Sequence, residues 1–214
     1  MGYICGFVTS KKLKTSLNIP LILLLSVIPD VDLLIPQLQH RGPTHSIIAA
    51  TVFFIPFFVA YHERAIPYFI ALTQHFLIGD LIIGGRVQLF WPITTQGYGM
   101  EIGIRSPINV TTESVLFIIA IAIMLKTREI NVLFKPLPSN LLLVIPLPSA
   151  FLPTFMNYPL NVPIWLIPPH LFYVFLFLAS ILLYLFKGSK SVIHRVLHQN
   201  NVQGLNRQKL IRLP

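Results

Sequence analysis

Charged side chains are scarce along this 214-residue sequence, and this scarcity limits its possible folds more than any other feature. Only 11% of the residues are charged, whereas 54% are hydrophobic. A soluble globular domain carries roughly a quarter charged residues, which solvate its surface. The sequence therefore predicts an integral membrane protein built from apolar helices, because a helix satisfies its own backbone hydrogen bonds inside lipid.

Polar or charged breaks divide the chain into apolar runs, which predict an all-α, polytopic transmembrane bundle of about five to six segments. The runs cover residues 17–35, 46–61, 65–83, 112–125, 141–158 and 170–186. The fifth run lies in a proline-dense stretch, which predicts a broken or re-entrant segment. Residues 2–10 are half a span at best.

Three aspartates lie inside the apolar runs, namely Asp30, Asp32 and Asp80. A carboxylate at the centre of a membrane helix costs roughly 2.5–3.5 kcal/mol on insertion scales, so we expect these groups to have partners. Imidazoles are the available candidates. His40 and His45 flank the turn HRGPTHS before the second run, and His75 precedes Asp80 in the third.

In an up-and-down bundle, these groups and Glu113, which opens the fourth run, fall at the same face of the membrane. Imidazole nitrogens and carboxylate oxygens together suit Zn²⁺, Mn²⁺ or Fe²⁺. Five residues separate His75 from Asp80, which places them about 140° apart on a straight α-helix. Both can reach one metal only if the helix ends or bulges near Gly79.

Each group also has a simpler interpretation when taken alone. Asp30 and Asp32 can cap a loop, HRGPTHS can be a polar turn, and His75 with Asp80 can be one buried pair. Three polar intrusions at the same face favour a divalent metal site over three coincidences.

The sequence resembles the membrane-bound, metal-dependent hydrolases of the YdjM-like inner-membrane type over roughly its first 125 residues. The motifs that carry the resemblance are PDVD (29–32), HRGPTHS (40–46), the helix with His75 and Asp80, GGRVQLFWP (84–92) and Glu113. The resemblance implies a polytopic membrane protein with a metal centre and a hydrolase activity. The positions it implies for the site are Asp30, Asp32, His40, His45, His75, Asp80 and Glu113.

The resemblance also implies a histidine ahead of the first helix, and this sequence begins MGYICGF without one. Either a segment upstream of Met1 carries that histidine, or the site has one ligand fewer. A helix that continued upstream of residue 2 would begin on the same face as the other groups.

The leading hypothesis is a hydrolase that holds one or two divalent ions through Asp32, His40, His45, His75 and Asp80. We expect Asp30 or Glu113 to act as general base and Arg41 to clamp a phosphate or carboxylate. We then expect an ester or phosphoester substrate at the membrane surface, lipid-linked because the site opens at the headgroup level. The two rival functions are a divalent-metal or proton transporter and a non-catalytic membrane scaffold.

The net charge of +9 raises nucleic acid as a partner, but in so apolar a chain the positive-inside rule explains it better. We therefore expect membrane lipids and no nucleic acid. Basic residues near the face opposite the site are Lys11, Lys12, Lys14, Arg64, Lys126, Arg128 and Lys135, and those on the site face are Arg41, Arg86 and Arg105. This asymmetry predicts a multi-pass cell-membrane protein with an extracytoplasmic site.

We expect the chain to divide into three regions. They are a membrane-embedded core with the metal site at 1–130, Pro-rich C-terminal membrane segments at 131–186, and a basic cytoplasmic tail at 187–214.

Overall fold

The computed structural model describes residues 1–156, 158 and 161–188, and its regular structure is helical. The α-helices are α1 Gly2–Lys12, α2 Ile19–Leu25, α3 Ile47–Tyr61, α4 Ile66–Gln74, α5 Pro107–Lys126, α6 Ile130–Leu133, α7 Pro146–Met156 and α8 Ile167–Leu183. Short 3₁₀ helices cover Ile28–Leu34, Pro43–His45, His62–Ala65, Pro138–Val144 and Ile164–Leu166, and π-helical turns cover His75–Asp80 and Tyr184–Gly188. The predicted all-α class is confirmed, while the tail from residue 189 lies outside the described residues.

Within the described residues, four helical stretches are long and apolar enough to cross a membrane. They are Ile47–Asp80, Pro107–Lys126, Pro138–Met156 and Ile164–Lys187. The first is 34 residues long and contains both α3 and α4. These two helices fold back on each other around the turn at His62–Ala65, since Phe69 of α4 packs on both Phe54 and Phe58 of α3. The prediction of about five to six apolar segments agrees with this arrangement.

Helix α1 packs against α2 and α4 through two glycines one turn apart. A Cβ atom at Gly2 would lie 2.3 Å from Oγ of Ser26, and one at Gly6 would lie 2.2 Å from Cδ1 of Ile22. No larger residue fits at this separation, so the glycines allow the close helix contact that small residues typically give in membrane proteins. The start of α1 therefore lies beside the ends of α2 and α4.

The connection between α4 and α5, residues 81–106, is compact and folds onto the same end of the bundle. Gly84 N–H donates to Ile102 O at 2.9 Å, and Val87 forms an isolated bridge with Tyr98 and is fully buried. Hydrogen bonds attach the connection to the HRGPTHS turn and to Ile47, which follows it. Among them are Gln88 N–H to Arg41 O (2.9 Å), Ile47 N–H to Leu89 O (3.0 Å) and Ser46 Oγ–H to Trp91 O (2.6 Å).

The C-terminal helices share a hydrophobic core with the N-terminal ones. Leu133, Leu143 and Phe177 are buried in one cluster with Tyr3 and Ile22. This packing closes the bundle on the side of α1 and α2. The end of α2 and the chain that follows it are thereby fixed in place, and that chain carries Asp30 and Asp32.

Candidate metal centre

Four side chains from three short helical segments meet at one end of the bundle. Asp30 comes from the 3₁₀ helix after α2, His45 from the 3₁₀ helix before α3, and His75 and Asp80 from the π-helical turn after α4. Four distances alternate between nitrogen and oxygen around this ring. They are His45 Nε2 to Asp30 Oδ1 (3.6 Å), His75 Nε2 to Asp30 Oδ1 (3.2 Å), His45 Nε2 to Asp80 Oδ2 (3.3 Å) and His75 Nε2 to Asp80 Oδ2 (3.5 Å). We call these four residues the acceptor ring.

The π-helical turn is what brings His75 and Asp80 to the same place. A π-helix has about 4.4 residues per turn, so residues five apart lie on nearly the same side. On an α-helix the same two residues would diverge by about 140°. The helix changes form over His75–Asp80, which includes Gly79, where the spacing required a departure from α geometry.

Hydrogen bonds on the outer side of both imidazoles fix which nitrogen faces the ring. Thr44 Oγ1 donates its one proton to Asp32 Oδ2 at 2.7 Å, so it accepts from Nδ1 of His45 at 2.9 Å. His75 Nδ1 lies 3.0 Å from the Ser26 carbonyl oxygen, which can only accept. Both imidazoles therefore carry Nδ1–H, and in the neutral form each directs an Nε2 lone pair into the ring.

When both imidazoles are neutral, the atoms that face one another in the ring are all hydrogen-bond acceptors, and no donor lies among them. His45 Nε2, His75 Nε2 and Asp80 Oδ2 are buried and have no hydrogen-bond partner. Lone pairs that face one another in a buried site are unfavourable unless a positive charge lies between them. Adjacent ligands of one divalent ion, with bonds of about 2.0–2.2 Å, lie about 2.8–3.6 Å apart. The four ring distances of 3.2–3.6 Å therefore fit a divalent cation.

The pKa values of Asp30 and His45, which lie outside the membrane spans, also indicate that a positive charge is favoured in the ring. Burial by itself would raise the pKa of Asp30, but His75 and His45 hold it well below its usual range. Burial would likewise lower the pKa of His45, but the neighbouring carboxylates of Asp30, Asp32 and Asp80 raise it to about 10. The surrounding carboxylates thus favour a positive charge at this place.

Asp32 lies behind His45 rather than in the ring. Its oxygens accept from His40 Nδ1 at 2.9 Å, from the Arg41 backbone N–H at 3.1 Å and from Thr44 at 2.7 Å. Asp32, His40 and His45 also offer atoms within 4.8 Å of one another, as do Asp30, His45 and His75. In the Asp32 group, however, these contacts are hydrogen bonds that hold the turn, and they keep the pKa of Asp32 well below its usual range against the effect of burial.

Access to the acceptor ring is from the side of Asp30. The Asp30 side chain is 28% exposed, whereas those of His75, Asp80 and His45 are 16%, 11% and 0% exposed. The ring is therefore least covered beside Asp30. His45 forms the floor of the site.

The two remaining predicted residues lie outside the ring. Arg41 forms an ion pair with Asp80, with Nε 3.2 Å from Oδ1. Glu113 lies in the second turn of α5 with an exposed side chain, close enough to Asp30 for the two charges to interact. In the part of the chain that the structure describes, no salt bridge joins Glu113 to the ring.

The structure thus brings Asp30, His45, His75 and Asp80 together, and sets Asp32, His40 and Arg41 around them. Sequence reasoning missed the Ser26 carbonyl and the pair Gly84 and Gly85. A backbone carbonyl carries no side-chain signal, so nothing in the sequence could single out Ser26. The two glycines belong to a quoted motif, but their role depends on a long-range contact with Arg41.

A family model described as YdjM inner membrane protein matches residues 1–150 of the chain. The match covers α1 to α5 and every residue of the acceptor ring. Neither the comparison with curated proteins nor that with solved structures found a match.

Proposed function

The chain belongs to the YdjM inner membrane protein family, and from that premise we propose that it is a metal-dependent hydrolase of esters or phosphoesters. One observation carries the proposal: the buried acceptors of the ring have no donors, and both imidazoles are oriented from behind. Outer hydrogen bonds of this kind are typical of histidines that bind metals. A pair that merely stabilised the fold would instead match each acceptor with a donor.

In this proposal Asp30, His45, His75 and Asp80 hold the divalent ion, and Asp32 holds His45 from behind. A bound divalent ion supplies acidity to water and polarises the oxygen of an ester or phosphoester. The nitrogen and oxygen donors suit Zn²⁺, Mn²⁺ or Fe²⁺. Asp30 thus takes the ligand role expected for Asp32, while Asp32, supported by His40, holds His45 from behind.

Glu113 is then the group available as general base. It is exposed, near Asp30 and outside the ring, so its carboxylate can accept a proton from water on the open side. The water oxygen forms a bond to the phosphorus or carbonyl carbon, and the ester oxygen leaves. The proton held by Glu113 passes to that leaving oxygen, which completes the hydrolysis.

The surroundings of the site support a lipid-linked substrate. The outer surfaces of the candidate spans carry exposed apolar side chains, such as Phe53 in α3 and Ile118 in α5, so the bundle contacts lipid directly. We propose that the ring lies at the level of the headgroups, facing the extracytoplasmic side, as the positive-inside rule predicts. The basic tail would then be cytoplasmic.

The position of the ring supports hydrolysis over transport. A transport site is expected near the middle of the membrane with access from both faces. The acceptor ring instead follows the ends of α2 and α4 and precedes α3, and its floor residue His45 is fully buried. Metal flux into proteoliposomes is the measurement that would favour the transporter.

His45→Ala tests the proposal, with His62→Asn as the matched control. His62 is an exposed histidine that follows the end of α3 opposite to His45, so its substitution leaves the ring residues in place. We expect the purified wild type and His62→Asn to contain bound metal and to hydrolyse ester or phosphoester substrates. We expect His45→Ala to lose both properties. Equal turnover by His45→Ala and the wild type would rule out the hydrolase.

A further inference from the structure

The side chain of Arg41 fits against two consecutive glycines of the connection that follows α4. A Cβ atom at Gly84 would lie 2.5 Å from Nη2 of Arg41, and one at Gly85 would lie 2.5 Å from Nη1. Both glycines also have φ values of +125° and +142°, which other residues rarely adopt. The backbone conformation at this pair therefore favours glycine, and a side chain at either position would displace the Arg41 guanidinium. We call Gly84 and Gly85 the arginine socket.

Arg41 connects the socket to both aspartates of the neighbouring segments. Its Nη1 donates to the Gly84 carbonyl, and its Nε lies 3.2 Å from Asp80 Oδ1. Its backbone N–H donates to Asp32 Oδ2 at 3.1 Å, and its carbonyl accepts from Gln88 N–H at 2.9 Å. Arg41 is thus held both at its backbone and at its guanidinium.

The two oxygens of Asp80 consequently have different tasks. Oδ1 is engaged by Arg41, whereas Oδ2 points into the ring at 3.3 Å from His45 Nε2. The contact with Oδ1 is an ion pair, since Nε has no hydrogen-bond partner. The planar guanidinium holds this charge beside Oδ1 while its Nη1 donates to Gly84, and a lysine ammonium on its flexible stem cannot do both in a fixed geometry. The orientation of Asp80 Oδ2 therefore depends on where the socket holds Arg41.

We propose that Arg41 is a positioning residue of the metal site, and that the arginine socket sets the place of Asp80 in the ring. This inference rests on the proposed metal site. It assigns to Arg41 a task other than the phosphate clamp predicted from the sequence, since two of its nitrogens are committed to Asp80 and Gly84. The inference also links the HRGPTHS turn to the glycine pair, because Arg41 belongs to the turn and its guanidinium packs against Gly84 and Gly85.

The test measures Co²⁺ binding to the full-length protein in detergent, for the wild type, Arg41→Lys, Gly84→Ala and Gly103→Ala. Gly103 is the matched control, because a Cβ atom there meets nothing within 4 Å. We expect Arg41→Lys and Gly84→Ala to bind Co²⁺ about 10–100-fold more weakly, the range typical of lost outer contacts to metal ligands. We also expect their visible Co²⁺ absorption to change, since it reports the arrangement of ligands around the ion, while Gly103→Ala matches the wild type.

Two results would overturn the inference, and they differ in what they say about the site. If Arg41→Lys and Gly84→Ala bind Co²⁺ with the wild-type affinity and spectrum, the positioning role fails and the metal site stands. If the wild type itself does not bind Co²⁺, the metal site and the positioning role fail together. Gly84→Ala keeps the arginine and Arg41→Lys keeps the socket, so a folding defect in one variant leaves the other to decide.

Discussion

Two buried polar clusters among the described residues differ in how their hydrogen bonds are arranged. In the cluster around Asn140 and Ser180, donors meet carbonyls: Asn140 Nδ2 donates to Lys135 O at 2.7 Å and to Ser180 O at 3.2 Å, and Ser180 Oγ donates to Leu133 O at 2.7 Å. In the acceptor ring, nitrogens and carboxylate oxygens meet each other. The first cluster is satisfied largely by the chain itself, although Asn140 Oδ1 has no donor among the described residues.

This difference separates a structural cluster from a binding site. Burying a polar group costs free energy unless a partner compensates it, and the Asn140 cluster supplies its partners from the ends of neighbouring helices. The ring leaves its most buried acceptors without partners. The compensation must come from a cation or a proton, which makes the ring dependent on something outside the chain.

The largest expected effect is on metal binding when a ring ligand is removed. We expect His75→Ala to weaken metal binding more than about 100-fold, because it removes a ligand rather than an outer contact. Metal at about 1,000 times the wild-type dissociation constant should stabilise the wild type by about 4 kcal/mol, and this stabilisation should fall below about 1.5 kcal/mol in His75→Ala. Thermal unfolding with and without metal measures it. An equal shift in both proteins would remove His75 from the site.

A smaller effect, on stability alone, is expected in the other cluster. Ser180→Ala removes the closer side-chain donor of the Leu133 carbonyl and leaves it only the long contact with Asn140 Nδ2 at 3.4 Å, which should destabilise the protein by about 1–3 kcal/mol. Metal affinity should not change, because Ser180 contacts no ring residue. Thermal unfolding of the metal-free protein and a metal titration measure the two properties. A loss of metal affinity in Ser180→Ala would show that the two clusters are coupled.

The smallest effect is expected at the contact behind His45. Thr44→Val removes the hydroxyl that orients Nδ1, and we expect metal binding to weaken about tenfold, at the lower end for outer contacts. Thr44→Ser keeps the hydroxyl and should bind as the wild type does. A titration of both variants against the wild type measures the difference. If Thr44→Val binds as tightly as Thr44→Ser, the orientation of His45 does not depend on this hydroxyl.

Which of Asp30 and Asp32 faces the ring could not be predicted from their spacing. The two residues lie in a 3₁₀ helix, in which each residue turns the chain by about 120°, so side chains two apart point in clearly different directions. One aspartate can therefore face the ring while the other faces the turn. The sequence shows both carboxylates but does not reveal the helix type. The helix type decides that Asp30 faces the ring and Asp32 faces the turn.

The packing of α1 was only partly predictable for a related reason. Residues 2–10 are too short to indicate a span, yet Gly2 and Gly6 bring this helix into close contact with α2 and α4. The advantage of glycine appears only when the facing side chains, Ser26 and Ile22, are known. The position of Arg41 is a similar case, because Gly84, which accepts its hydrogen bond, lies 43 residues further along the chain.

The sequence by itself determined that this chain is a helical membrane protein and that its acids and imidazoles occur where apolar runs begin and end. Composition and hydropathy act locally, so they are sufficient for those conclusions. The tertiary structure decided which oxygen faces which nitrogen, through a π-helical turn, a 3₁₀ helix and the socket for Arg41. Such choices depend on distances of a few ångströms between segments far apart in the chain, and those distances exist only after the helices have packed.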